Sequence, residues 1–265
     1  MSFTDKKISE VYKDILHTDN SNTGISSSIK QVTCGDGDLT ALSLSTQNVK
    51  AQPDTDSTTN TAIYDADGNA LVTVDSTNDL VKLGIGQHTA NTQYAHFGIG
   101  ASWTGGYVID THHPIPFNST AIGLAIVQDN IKFGTGTDPA TTFTTADGAA
   151  TDASLLVPVM WFVPDNITID GVTSFEGATA ATGDTTRMHL FSYTFASGST
   201  SALTSGTLLA YNSDVTNAGS EQAYKSTWTV DSASVDANKV ILAFFRSDSV
   251  NSDYSVSITV KYHLR

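Results

Sequence analysis

Between Lys6 and His17 the apolar residues Ile8, Val11, Tyr12, Ile15 and Leu16 recur at helical spacing. Ser2 or Thr4 can cap that segment, Asp5 suits its first turn, and Asn20, Asn22 and Gly24 stop it. The pattern predicts a short helix of about three turns, too short to persist unaided in water. Its stripe therefore needs cover, either from its own chain or from a partner into which it docks. After Gly24 the period drops to two. Ala41–Ser45, Val49–Ala51, Thr61–Asp65, Ala70–Asp75 and Leu80–Ile85 read as short strands. The last four residues of Asp65-Ala66-Asp67-Gly68-Asn69 give the Asp-Gly signal of a hairpin. Strands this short and this few predict no core of their own; they must pack on the later domain or on copies of themselves.

From about Gln93 the strands lengthen. Gly105–Asp110, Ala121–Gln128, Leu155–Val163 and Thr186–Phe195 read as strands, followed by Thr207–Tyr211, Tyr224–Val230, Lys239–Arg246 and Tyr254–Tyr262. The last alternates most clearly, with Tyr254, Val256, Ile258, Val260 and Tyr262 on one side. Residues 1–24 are thus read as a docking helix or arm, 25–90 as a short-stranded β connector, and 91–265 as a jelly-roll-like antiparallel β-sandwich in an all-β protein.

Composition sharpens this picture. Ser and Thr make up about a quarter of the 265 residues, and of the 27 acidic residues only Glu10, Glu176 and Glu221 are glutamate. Asp, Ser, Thr and Gly favour turns and strands over helix interiors. The net charge of −14 leaves no basic patch for nucleic acid. No apolar run is long enough to span a bilayer, and the opening residues lack the apolar region of a signal peptide. A single cysteine, Cys34, excludes an internal disulfide, and its turn-like surroundings offer no base.

Candidate chemistry is sparse. His112-His113 beside Asp110 suggests a metal, but neighbours on a strand point opposite ways, and the other histidines show no ligand spacing. The Asp65 loop has its glycine fourth and Ser76 twelfth, so it is a turn rather than a calcium loop. Gly98-Ile99-Gly100 and Gly134-Thr135-Gly136 read as turns, without the third glycine of a dinucleotide fingerprint. No serine sits in a nucleophile elbow. The aromatics Trp161, Phe162, Phe191, Tyr193, Phe195, Phe244 and Phe245 fall in predicted strands, as core or as a sugar-stacking platform. No catalytic residue, cofactor or metal ligand is expected, and no enzymatic activity.

The N-terminal residues carry a resemblance. Lys7 to His17, Asp19-Asn20-Ser21-Asn22 and Gly24-Ile25 resemble the opening of tail-fibre and head-appendage proteins of marine bacteriophages. Asp36-Gly37 with Thr40–Ser45 is similar to the next block of that group, as is Asp65–Asn69 running into Leu71–Asp75 and Val81-Lys82. The resemblance covers about the first 85 residues. It implies a virion protein, usually trimeric, anchored by its N-terminus to capsid, portal or tail. Val157-Pro158-Val159 and Phe162–Ile169 resemble the β-sandwich tips of such proteins more loosely. With no shaft repeats, a short spike, fibre or decoration made in the host cytoplasm is expected, a homotrimer that touches a host surface glycan. The alternative is a carbohydrate-active module, lectin-like or a depolymerase.

Overall fold

The structure is a computed structural model describing residues 15–18, 24–103, 109–118, 131–140, 144–145, 156–179, 181–198, 203–249 and 253–265. The chain divides into two units, Met1–Ala90 and Asn91–Arg265. Among the described residues the regular structure is antiparallel β, with one 3₁₀ turn at Val157–Val159.

The first unit contains two four-stranded meanders. β1 (His17–Thr18), β2 (Lys30–Thr33), β3 (Leu39–Leu44) and β4 (Val49–Ala51) pair in chain order. So do β5 (Thr61–Tyr64), β6 (Ala70–Asp75), β7 (Leu80–Leu83) and β8 (His88–Thr89). The expected Asp-Gly hairpin joins β5 to β6. Its Asp65 Oδ1 accepts the Asp67 and Asn69 amides, and Gly68 supplies φ +84°. One expectation is corrected here. Ile15 and Leu16 are not helical, and His17–Thr18 pair as a strand with Thr33 and Val32. Edge pairing with β2 gives this backbone partners that a marginal three-turn helix cannot keep at its end. Ile8, Val11 and Tyr12 lie outside the described residues.

The second unit is built on two sheets. β9 (Thr92–Trp103), β14 (Ile167–Thr179), β18 (Glu221–Thr227) and β22 (Asp253–Leu264) form the first, in the order β18-β14-β22-β9, with β20 (Ser234–Val235) added on β14. The second runs β10 (His113–Ile115), β21 (Lys239–Ser247), β15 (Thr185–Phe195), β16 (Leu203–Tyr211), β19 (Thr229–Val230). β13 (Trp161–Val163) joins β21, β17 (Val215–Thr216) joins β15, and β11 (Ile131–Lys132) pairs separately with β12 (Thr144–Thr145).

The two sheets share one core. Ala95, Phe97, Val172, Val256, Ile258 and Val260 of the first meet Met188, Leu190, Ile241, Ala243 and Phe245 of the second. The second sheet is apolar on its other face too, where Val240, Leu242 and Phe244 pack with Ile131, Phe133, Leu156, Phe191 and Tyr193. That is why β21 reads as an unbroken apolar run: both of its faces are covered.

Three readings change. Tyr224–Val230 is not one strand: β18 belongs to the first sheet and β19 to the second. The chain crosses at buried Trp228, whose indole Nε1 donates to Ser174 Oγ at 2.9 Å. The described part of Leu155–Val163 resolves into the 3₁₀ turn, with Pro158 in its first turn, and β13. Gly98-Ile99-Gly100 lies inside β9 instead of forming a turn. Gly105–Asp110 and Ala121–Gln128 fall largely outside the described residues; Ile109 and Asp110 form a turn.

Candidate interaction surfaces

In the first unit the expected lack of a core is visible residue by residue. Val32 is the one fully buried apolar side chain there among the described residues. In the β5–β8 sheet, direct partners point to the same face. Ile63, Val72 and Leu83 form one row across three strands, and Thr61, Val74 and Val81 the next. Ile63, Val81 and Leu83 are exposed. The opposite face holds the polar anchor: Asp75 is buried, accepts from Lys82 Nζ at 2.7 Å and is bonded by Asn78. The Lys82 ammonium and the Asn78 amide hold its carboxyl down to about 2. The sheet thus buries its acid and leaves its aliphatic row open. The β1–β4 sheet likewise exposes Leu39, Leu42 and Val49. Of the docking residues within the structure, Ile15 is half-buried and Leu16 is exposed.

The second unit contains three polar groupings. His112 and His189 are buried edge-to-face, ring centroids 5.1 Å apart. His112 Nδ1 meets the Gly134 carbonyl at 3.1 Å, so it carries the proton, and His112 Nε2 has no hydrogen-bond partner among the described residues. Burial pushes His112 down to about 4 and His189 to about 3, so both rings are neutral at pH 7. Asp138 Oδ1 lies 3.8 Å from His189 Nε2. Among the described residues no group of three or more His, Cys, Asp or Glu side chains could hold a metal ion.

Close by, Arg187 and Arg246 are direct partners on β15 and β21. Arg246 Nη2 binds Asp110 Oδ1 at 2.8 Å, and Arg187 Nε lies 3.3 Å from Asp214 Oδ1. With Thr185, Thr186 and Asp248 these four line a cleft of about 200 Å³. Its two cations face three aspartates, so the cleft carries one net negative charge.

Burial pushes the Glu176 carboxyl up to about 7, partly offset by the Thr186 hydroxyl donating to it at 2.7 Å. It points between the two sheets, 2% exposed, and does not line the cleft.

The aromatic residues divide cleanly. Trp161, Phe191, Tyr193, Phe244 and Phe245 are core, while Phe162 and Phe195 are exposed. Two further exposed aromatics, Tyr94 and Phe175, stand on β9 and β14, strands that the sequence pattern does not mark. They stand on the outer face of the first sheet.

No protein-family model matches the chain, and no curated protein matches it. Among solved structures the chain is similar to one described as "Structure of Eiger TNF from S. frugiperda", at 9% identity and a TM-score of 0.26, covering 64% of this chain and 92% of that one. A likeness of that size assigns neither fold nor function.

Proposed function

We propose that the chain is a non-enzymatic structural and adhesive component of a bacteriophage virion: a short fibre, spike or decoration. Its N-terminal segment, with Ile8, Val11, Tyr12, Ile15 and Leu16, docks on capsid, portal or tail. The protein assembles as a homotrimer and presents its second unit, a jelly-roll-like sandwich, towards the host. The observation that carries this reading is the first unit's aliphatic face, where Ile63, Val81 and Leu83 are exposed beside half-buried Val72 and Val74 on a four-stranded sheet. A lone thin sheet with an uncovered apolar face is marginal in water, and copies of the chain can cover it for one another. The resemblance of the first 85 residues to marine phage appendages points the same way.

Anchoring is tested with Val11 and Ile15 both changed to Asp. The docking role expects unchanged melting and lost binding to particles that lack this protein. A sharp fall in melting places the segment on its own domain, and retained binding places the anchor elsewhere. The second reading, a carbohydrate-binding module on the same scaffold, is favoured by Tyr94 and Phe175.

A further inference from the structure

The outer face of the first sheet of the second unit is legible from register alone. Inner positions of β22 are Val256, Ile258 and Val260, all buried, so Ser257, Thr259 and Lys261 face outward. Across the four strands two outward rows follow. One runs Lys225, Phe175, Ser257, Gly98, and the other contains Gly171, Lys261 and Tyr94. Between them lies the row Thr227, Thr173, Thr259, His96, where His96 Nδ1 meets Thr259 Oγ1 at 3.2 Å.

Phe175 and Tyr94, 58% and 59% exposed, mark opposite corners of this floor of small and hydroxylated residues. Four residues along the strand and two strands across place them about 17 Å apart, from a rise of about 3.4 Å and a strand spacing of about 4.8 Å. Each aromatic is the direct register partner of a lysine on the adjacent strand: Phe175 of Lys225, and Tyr94 of Lys261. Neither lysine is ion-paired among the described residues. The nearby Asp170 is engaged by His263 Nδ1 at 2.8 Å, and Glu221 lies at the far end of β18, beyond Phe175. In a chain of net charge −14 this is a locally cationic, flat, aromatic-flanked surface.

We infer that this face binds an acidic polysaccharide, whose ring faces lie on Tyr94 and Phe175 and whose carboxylate or sulfate groups meet Lys225 and Lys261. Flat apolar sugar faces stack on exposed rings, the hydroxyl-rich floor exchanges hydrogen bonds, and the charge of the site opposes that of the ligand. A protein partner would seek a larger apolar patch than two separated rings. The inference deepens the adhesive part of the reading above. It is tested without any particle, so its failure leaves anchoring and assembly standing.

The test is affinity electrophoresis of the full chain in gels containing alginate, dextran sulfate or dextran. Retardation is expected with at least one of the two polyanions and not with dextran; which one responds tells carboxylate from sulfate recognition. Phe175→Ala and Tyr94→Ala should each weaken the interaction about tenfold, and Lys225→Ala with Lys261→Ala should abolish it. All four side chains stand on the outer face, so melting temperatures should match the parent; a variant that melts early is replaced by the milder Phe175→Leu or Tyr94→Leu. No retardation by either polyanion, equal retardation by dextran, or polyanion binding indifferent to both aromatics would overturn the inference.

Discussion

Replacing Glu176 with Gln should stabilise the second unit, and by more at high pH. The carboxyl lies on the inner side of β14, with Thr186 of the facing sheet donating to Oε1 and no hydrogen-bond partner on Oε2 among the described residues. Its ordinary value is 4.5, and burial carries it to about 7 in the fold. Between those values the folded chain holds a proton that the unfolded chain has lost, so stability falls as pH rises through the window and levels off above it. The full span of about 2.5 pH units corresponds to about 3 kcal/mol. At pH 5.5, one unit above the unfolded value, a little under half of it has been incurred. Glutamine keeps the shape and carries no charge to desolvate. The variant should gain about 3 kcal/mol at pH 8 and about half that at pH 5.5, an increase at pH 8 of roughly 6–12 °C in melting temperature for a unit of this size. Urea unfolding followed by near-ultraviolet circular dichroism at both pH values reads the difference. An advantage equal at the two pH values would show that packing is responsible, and no advantage at pH 8 would refute the reasoning.

Two further outcomes follow from burial in the second unit. Ile258→Asp, at a fully buried position, should cost more than about 4 kcal/mol and abolish the cooperative melt, since it strands a charge among Val172, Leu190 and Phe245; an unchanged melt would overturn the register of β22. Because burial holds His112 and His189 below the ordinary 6.5, the unfolded chain takes up protons first, and stability should fall as pH drops from 6.5 towards 4; His189→Gln should flatten that slope, measured by denaturant titration at pH 5.5 and 7.5.

How much of this was legible depends on whether burial and sequence pattern agree. β22 was readable because its partners bury one face and leave the other to water, which writes a period of two. β21 was readable as a dense apolar run, although its two covered faces were not. β14 is hidden in the sequence because its inner face carries Ser174 and Glu176, whose partners Trp228 and Thr186 are distant in sequence, and because its register shifts between Ile169 and Gly171. β9 is hidden because Gly98 and Gly100 mimic a turn. The acidic cleft and the Tyr94–Phe175 face depend on strand neighbours that no local window contains. In the first unit, by contrast, the absence of a core followed from strand length alone, and the open row of Ile63, Val81 and Leu83 is its direct consequence.

The central claim is that the first unit is completed by other copies of the chain, and the solution mass tests it most directly. Light scattering of the full chain, whose single-copy mass is 28.0 kDa, should return three times that value, about 84 kDa, across micromolar concentrations. A mass of one copy throughout that range would contradict it.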